Sequence, residues 1–266
     1  QRLSCRSLRT DNVALDRGAK AAHIAAMSDT ISQNEMLTSL RTGVPLFDGL
    51  PDEALQHAIS LARRRKLDQG ELLFRQGGAP EAFFLILAGR LKIGQTTQDG
   101  QQVIIRYLGP REIAGCVAVC GGMPYPATAE AVEATWLLEW TRTRIAELSE
   151  RYPAIAISAM RIMSSRLTEL QDRLRELHTD PVERRIAHAL GRLVVQAGRR
   201  TGSGIEIDFP LTRRDLAEMT GTTLHTVSRT LSRWEADGIV GGGRQRVAIL
   251  DPHALIRIAD DRRAAE

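Results

Sequence analysis

Between Leu211 and Val240 the apolar positions fall into two short helical stripes separated by a single glycine. Leu216, Ala217 and Met219 form the first stripe. Leu211-Thr212 opens it with a hydroxyl cap, and Thr220-Gly221-Thr222 closes it where glycine accepts a positive φ. The second helix starts at Thr223, and Val227, Leu231 and Trp234 recur at i, i+4 and i+7 to face a core. His225, Ser228 and Arg229 then point away from that core, with Leu224 at its margin. Gly241 to Leu250 follows as a glycine-turned strand or hairpin carrying Arg244 and Arg246.

Upstream the texture changes twice. Pro51-Asp52-Glu53-Ala54-Leu55 opens a helix with proline and acids in its first turn, and Leu55, Ile59 and Leu61 continue its apolar side. The basic run Arg63-Arg64-Arg65-Lys66 is expected to be the solvated end of that helix. From Lys66 to Trp140 short β-rich segments separated by Gly and Pro predict a compact antiparallel roll: Leu72 to Phe74, Phe83 to Ile93, Val103 to Leu108 and Thr128 to Trp140. After Thr141 the pattern is helical. Met160, Met163, Leu167, Leu170, Leu174 and Leu177 step by three and four residues, the heptad seam of a two-stranded coiled coil, which predicts a contact between two copies of the chain. The competing reading is a stripe packed on its own domain. His178-Thr179-Asp180-Pro181 ends this helix and forms a hinge, because a residue before proline is pushed out of helical geometry. Val182 to Gln196 is the next helix, with Ile186, Leu190, Leu193 and Val194 on its buried side.

A chain of 266 residues accommodates about two domains. The pattern divides it into a segment 1–34 that is poorly ordered or appended, a β-rich roll 35–150, a long helix 151–179 carrying the seam, and a segment 180–266 of helices and a glycine-turned hairpin; the resemblance described below makes these last three a sensor domain, a dimerisation helix and a DNA-binding domain. Met27-Ser28-Asp29 offers a natural start, so the first 26 residues are expected to come from an upstream start or an added segment. No run approaches the roughly 18 apolar residues of a membrane span. Net charge is only +4, and the Arg-rich C-terminal part still carries many acids, so basic residues must be arranged in space to matter. Three cysteines, Cys5, Cys116 and Cys120, make no paired framework and suit a reducing cytoplasm; they are too few for a four-thiolate iron–sulfur cluster. Cys116 and Cys120 read as small buried hydrophobes, with a redox or metal-linked thiol as the alternative. No phosphate-binding loop, H-E-x-x-H pair, G-x-S-x-G elbow or kinase signature is present, which argues against an enzyme.

The exposed face of the second helix has the chemistry of a recognition helix. Arg can bind both acceptors of a guanine edge, and short hydroxyls can reach a phosphate or base. The candidate DNA-binding residues are Thr212, Arg213 and Arg214 at the first helix N-terminus, as phosphate contacts, and Thr222, Thr223, Leu224, His225, Thr226, Ser228 and Arg229. A winged helix serving protein or ribosomal contacts, and a DNA binder without sequence preference, are the competing readings.

The segment resembles the helix-turn-helix of the Crp/Fnr superfamily of bacterial transcription regulators. Gly70-Glu71-Leu72-Leu73-Phe74-Arg75-Gln76-Gly77 and Ala82 to Ile93 resemble the glycine-punctuated strands of the roll these regulators carry, and the similarity runs from about Leu46 to Ile258. The resemblance implies an α+β fold: an N-terminal cyclic-nucleotide-binding-type antiparallel β-roll, a long dimerisation helix and a C-terminal winged helix-turn-helix. It further implies a cytoplasmic homodimer on an inverted repeat of double-stranded DNA, with RNA polymerase as a partner. In recognition helices of the family a glutamate, a serine or glycine, and an arginine contact a half-site with a G·C pair; His225, Ser228 and Arg229 stand at these positions, and His225 departs from the glutamate.

Effector control is a separate matter. Cyclic-AMP-binding members hold the ribose with a Gly-Glu pair and the phosphate with an Arg-Ser or Arg-Thr pair. Gly115-Cys116 and Ala127-Thr128 match those positions here, without the acid and the arginine, so cyclic-nucleotide control is not expected. Tyr125-Pro126-Ala127-Thr128-Ala129-Glu130-Ala131 is instead similar to the motif of the branch that responds to nitrogen oxides (the Dnr/Nnr-like regulators), where haem is the suspected sensor. The cofactor is otherwise unknown. His57, His178 or Cys116 would be candidate axial ligands, and no spacing singles one out. A cyclic-nucleotide-responsive regulator and an effector-independent DNA-binding protein remain the alternatives.

Overall fold

The computed structural model describes residue 40, residues 43–117 and residues 123–260. The segment 1–34, Cys5 and Cys120 lie outside the described residues. Described residues up to Gln171 form one compact unit, and those from Asp172 onward a second. No described helix is long and apolar enough to cross a membrane.

In the first unit a 3-10 turn (Pro45–Phe47) is followed by helix α1 (Asp52–Ser60), then by β1 (Arg63–Leu67), β2 (Leu72–Phe74), β3 (Ala82–Ala88), β4 (Leu91–Thr96), β5 (Gln102–Leu108), β6 (Ile113–Ala114), β7 (Thr128–Ala131) and β8 (Thr135–Thr141). Two antiparallel four-stranded sheets result, in the orders β1-β8-β3-β6 and β2-β7-β4-β5. Helices α2 (Arg142–Arg151) and α3 (Pro153–Thr179) follow. Strand β3 shows why its sequence is apolar without alternation. Phe84 and Ile86 enter the core between the sheets with Leu91, Leu108, Ala129 and Leu137. Phe83 and Leu85, on its other face, enter a second core with Leu55, Ile59, Trp140, Ile145 and Leu148. A strand buried on both faces needs apolar side chains at every position. The Trp140 indole also donates a 2.7 Å hydrogen bond to the Ala58 carbonyl, fixing α1 against the sheet.

Two expectations require correction. Arg63 to Lys66 is not a helix end but edge strand β1, paired antiparallel with β8 from Arg63↔Glu139 to Leu67↔Thr135. Ladder hydrogen bonds to β8 pair one side of its backbone, and charged side chains along such an edge disfavour the recruitment of another strand. Arg65 meets Glu139 at 3.3 Å, and the Lys66 ammonium lies over the Trp136 ring. The segments Phe83 to Ile93 and Thr128 to Trp140 are each two strands rather than one. They break opposite one another: the Thr135 hydroxyl accepts from the Arg90 amide at 3.0 Å and contacts the Arg90 carbonyl at 3.2 Å, stapling the two turns together.

The second unit contains α4 (Val182–Ala197), β9 (Gly198–Thr201), β10 (Gly204–Ile207), α5 (Arg213–Thr220), α6 (Leu224–Ala236), β11 (Val240–Gly243), β12 (Arg246–Ile249) and α7 (Pro252–Asp260). Its antiparallel sheet has the order β11-β12-β10-β9. Ile186, Leu190, Leu193, Leu216, Val227, Leu231, Trp234 and Ile249 are buried in its core. Helix α3 ends at Thr179, and Pro181 caps α4. The last turns of α3 are bonded to α4: Arg192 donates to both Glu176 carboxylate oxygens at 2.7 and 2.8 Å, Arg184 to Asp180 at 3.2 Å, and Arg185 to the Leu177 carbonyl at 3.3 Å.

His188 sits inside this junction, its Nε2 3.5 Å from Asp180. Burial pushes its imidazole below the usual 6.5, and Arg192 adds to the shift while Glu176, Asp180 and Asp260 oppose it. The unfolded chain therefore takes up this proton at a higher pH than the folded one, so the group's stabilising contribution is full above pH 6.5 and declines as pH falls through that value. Melting temperature measured against pH should drop on the acid side of 6.5 for the wild type, and His188→Gln should flatten that part of the curve. An identical acid-side slope in the variant would assign the pH dependence to other groups.

Candidate nucleic-acid interface

Helix α5 is defined at both ends by its own sequence. At its start the Thr212 hydroxyl accepts from the Asp215 amide at 3.0 Å, and the Asp215 carboxylate accepts from the Thr212 amide at 2.8 Å, a reciprocal capping box. At its end Gly221 takes left-handed φ 61°, ψ 44°. A Cβ there would come 3.3 Å from the Leu177 side chain, so glycine serves both the turn and the packing. Thr223 then caps α6, accepting from the Thr226 amide at 3.2 Å, and the Thr223 and Thr226 hydroxyls are 2.9 Å apart.

Val227, Thr230, Leu231 and Trp234 are the buried side of α6. Met219, expected on the buried side of α5, is only half-buried, and Thr220 takes the place with its hydroxyl bonded to the Leu216 carbonyl at 2.6 Å. The Trp234 indole donates to Glu183 of α4 at 3.0 Å, and Arg233 pairs with the same carboxylate. With its back and C-terminal end held, α6 presents Leu224, His225 and Arg229 to solvent, with Ser228 half-buried between them and Thr222 in the turn before them. These residues are brought together at the N-terminal end of one helix. Arg229 makes no hydrogen bond or ion pair among the described residues.

Arg213 and Arg214 are placed differently from a pair of open phosphate contacts. Arg213 reaches across to α6, donating to both Glu235 carboxylate oxygens at 2.9 and 3.2 Å and to the Ser232 hydroxyl at 3.4 Å. Arg214 donates to Glu218 one turn along α5, at 2.9 Å. Sequence reasoning saw the basic residues and missed their acceptors, although Glu218 at i+4 from Arg214 was a visible signal. Beyond α6 the hairpin of β11 and β12 forms as expected, with Arg246 bonded to Glu206 at 2.7 Å. The β9–β10 hairpin and α7 were not expected. Gly202-Ser203-Gly204 and the Asp251-Pro252 pair were their available signals, and Asp251 does cap α7 by accepting from Ala254 at 3.0 Å.

The six seam residues of α3 are exposed, from Met163 at 38% to Met160 at 67%. The same helix buries Ile155, Ser158 and Ala159 near its start, so its interior-facing side is a different one.

In the roll, the two candidate effector stretches converge on Ala82. A Cβ on Gly115 would lie 2.7 Å from the Ala82 carbonyl oxygen, and the Tyr125 hydroxyl donates to that oxygen at 2.7 Å while accepting from the Ala82 amide at 3.1 Å. Tyr125 stacks on Phe74 with ring centroids 4.0 Å apart, and its burial raises the phenol's pKa and keeps it protonated. Ala127 is buried, and Thr128 accepts from the Gln76 amide at 3.0 Å. The Arg166 guanidinium of α3 donates to the Cys116 sulfur at 3.1 Å and to the Ile113 carbonyl at 2.6 Å. The other candidate haem ligands have separate settings: His57 is 3.3 Å from the Tyr152 hydroxyl and His178 is 2.7 Å from the Leu174 carbonyl. Nothing in this donor set fits it to haem in preference to its present partners, and no group of three or more His, Cys, Asp or Glu among the described residues could hold a metal ion.

Comparison with known proteins agrees with both halves of this description. Residues 64–152 match the cyclic nucleotide-binding domain model, and residues 184–258 match the Crp-like helix-turn-helix domain model. The chain is 32% identical over 217 residues to the cyclic AMP receptor protein of Thermus thermophilus, covering 82% of this chain and 97% of that protein. It is 32% identical over 197 residues to the transcriptional activator protein FnrA of Stutzerimonas stutzeri, covering 74% of this chain and 80% of the relative. Among solved structures, FixK2 from Bradyrhizobium japonicum shares the fold at a TM-score of 0.67 with 20% identity, covering 75% of this chain and 98% of the other. A nucleotide-binding-type roll, a helix-turn-helix and relatives matched over 80% and 97% of their length place this chain in the Crp/Fnr family of DNA-binding transcription regulators.

Proposed function

We propose that two copies of this chain associate through the α3 seam and read an inverted repeat in DNA with the N-terminal end of α6, under a sensor roll that does not respond to cyclic AMP. The observation that carries the reading is Arg229, an arginine without a partner among the described residues on a helix otherwise held by bonds. Its fork matches the O6 and N7 acceptors of guanine. His225 at the family's glutamate position offers a donor or acceptor nitrogen in place of a carboxylate, so the cytosine amino contact that an acid would accept is lost or replaced. Thr222, Thr223 and Thr226 lie at the helix start, where hydroxyls and backbone amides meet phosphates. Thr212 acts through its cap, and Arg213 through its hold on Glu235, which sets α5 against α6. Binding as a dimer separates the two reading helices by about 34 Å, one DNA turn. RNA polymerase is the partner that the family role implies.

The case against cyclic AMP rests on Cys116 and Ala127, which stand where an acid and an arginine would hold ribose and phosphate. Binding the phosphate there would forgo a charge-assisted hydrogen bond worth roughly 1.5–3 kcal/mol. The link to a nitrogen-oxide-responsive branch stays with the motif Tyr125 to Ala131, in which Tyr125 is occupied by Ala82 and Phe74.

Arg229→Ala should cost about 1–3 kcal/mol on the preferred duplex and flatten discrimination at one base pair. Arg213→Ala removes the tie to Glu235 that sets α5 against α6, and should weaken the preferred duplex more than the scrambled one. Gel shifts of both variants at matched salt decide this: equal loss on both duplexes for Arg229→Ala, with discrimination intact, removes it from base reading.

Leu170→Glu places two carboxylates in one apolar contact and should raise the dimer dissociation constant at least about a hundredfold. Light scattering at fixed concentration reads the result, and an unchanged mass rejects the seam. Cyclic AMP at micromolar concentration should leave DNA affinity unaltered in a titration; a reproducible, saturable increase would return the sensor to nucleotide control.

A further inference from the structure

Leu177 closes the α3 seam and is 47% exposed. Its backbone is tied to α4, because Arg185 donates to its carbonyl at 3.3 Å and Arg192 holds both carboxylate oxygens of the preceding Glu176. Its side chain has a further neighbour. A Cβ built on Gly221 would come 3.3 Å from a Leu177 methyl, and beyond the adjoining residues of the turn nothing else among the described residues lies within 4 Å of that point. The last side chain of the seam therefore lies against the glycine turn that leads from α5 into α6.

In a parallel two-stranded coiled coil the residues of a d layer meet across the axis. With Met160 at an a position, Met163, Leu170 and Leu177 fall at d. The glycine turn of each copy is then separated from the two-fold axis by one side chain, and the thickness of that layer enters the distance between the two reading helices. A single copy leaves Leu177 half in water with its rotamers open, whereas the partner's leucine covers it and selects the rotamer that packs on both sides. Close-packed side chains transmit a displacement instead of absorbing it. We infer that Leu177 is a positioning residue that sets the spacing between the two half-sites, by holding each glycine turn at a fixed distance from the two-fold axis. This deepens the proposed pairing through α3 and rests on it. Half-site spacing and half-site sequence then belong to different residues, Leu177 for the first and the exposed tip of α6 for the second.

The test varies spacing at constant half-site sequence. A preferred duplex is enriched from a random library by the full chain, and a single base pair is then inserted into or deleted from its centre. Each change shifts one half-site by about 3.4 Å and turns it by about 35°. A half-site so displaced forfeits at least one base contact, so the wild type should bind either altered duplex about tenfold more weakly. Leu177→Ala should cut that penalty to roughly threefold, half its logarithm, while keeping the base preference that Arg229 sets. Leu174→Ala, which removes the same atoms one layer earlier, should weaken the dimer and leave the spacing penalty at about tenfold. Light scattering at the working concentration counts the copies. Should Leu177→Ala not pair there, Leu177→Val, shorter than leucine and still apolar, carries the comparison with an intermediate penalty expected. An undiminished penalty in the Leu177 variants overturns the inference, as does equal relaxation in Leu174→Ala, which would assign spacing to the seam as a whole. A wild type that pairs and yet tolerates every spacing alike overturns this inference alone. A wild type that occupies DNA as a single copy removes the paired reading, and this inference with it.

Discussion

The geometry of the reading helix depends on one backbone conformation, the left-handed Gly221. It ends α5 after two turns and turns the chain through Thr222 into the Thr223 cap, so the angle between α5 and α6 is fixed by a residue without a side chain. A Cβ here would be strained by the positive φ, while the Leu177 methyl, 3.3 Å from where it would be, would have to give only slightly. Everything that aims α6 is arranged around that turn: the capping box before it, the Arg213–Glu235 tie beside it and the Trp234–Glu183 bond at the far end.

The charges of the second unit are distributed by the same logic. Arg184, Arg192, Arg199, Arg213, Arg214, Arg233 and Arg246 each hold a carboxylate of the protein. Exposed pairs of this type contribute little to stability, typically under 1 kcal/mol, but they orient side chains and cancel charge locally. A small net positive charge therefore says little about where DNA would bind. An arginine with no hydrogen bond or ion pair among the described residues says more, and Arg229 at the tip of α6 is such a residue.

The helix-turn-helix was legible because its signals are local: a threonine cap, a glycine turn and a period of three and four residues. The roll was legible as a texture of short strands, and less so in detail. Arg63 to Lys66 followed a helix and looked like its charged end, whereas its strand conformation is set by pairing with β8, which is distant in sequence, as in Arg63↔Glu139 and Lys66↔Trp136. The breaks inside Phe83 to Ile93 and Thr128 to Trp140 depend on the contact of Arg90 with Thr135, again non-local. For the candidate site, the residue types at the tip of α6 were readable and the engagement of Arg213 was not, since Glu235 lies three helical turns beyond the glycine. The positions at Cys116 and Ala127 could be read only against a known pattern, and their present partners, Arg166 among them, come from distant parts of the chain.

The exposed stripe from Met160 to Leu177 has a consequence for how such a chain behaves in a cell. Large apolar side chains at three- and four-residue steps leave the single copy with a hydrated surface whose coverage is governed by mass action, so anything that covers it makes stability a function of concentration. A duplex bearing two adjacent half-sites would act as a tether, holding two copies at an effective concentration far above that of the surrounding solution. Under the proposed pairing of two copies through this stripe, the genome itself would assemble the pair at low abundance, and occupancy would rise with copy number more steeply than in simple one-to-one binding.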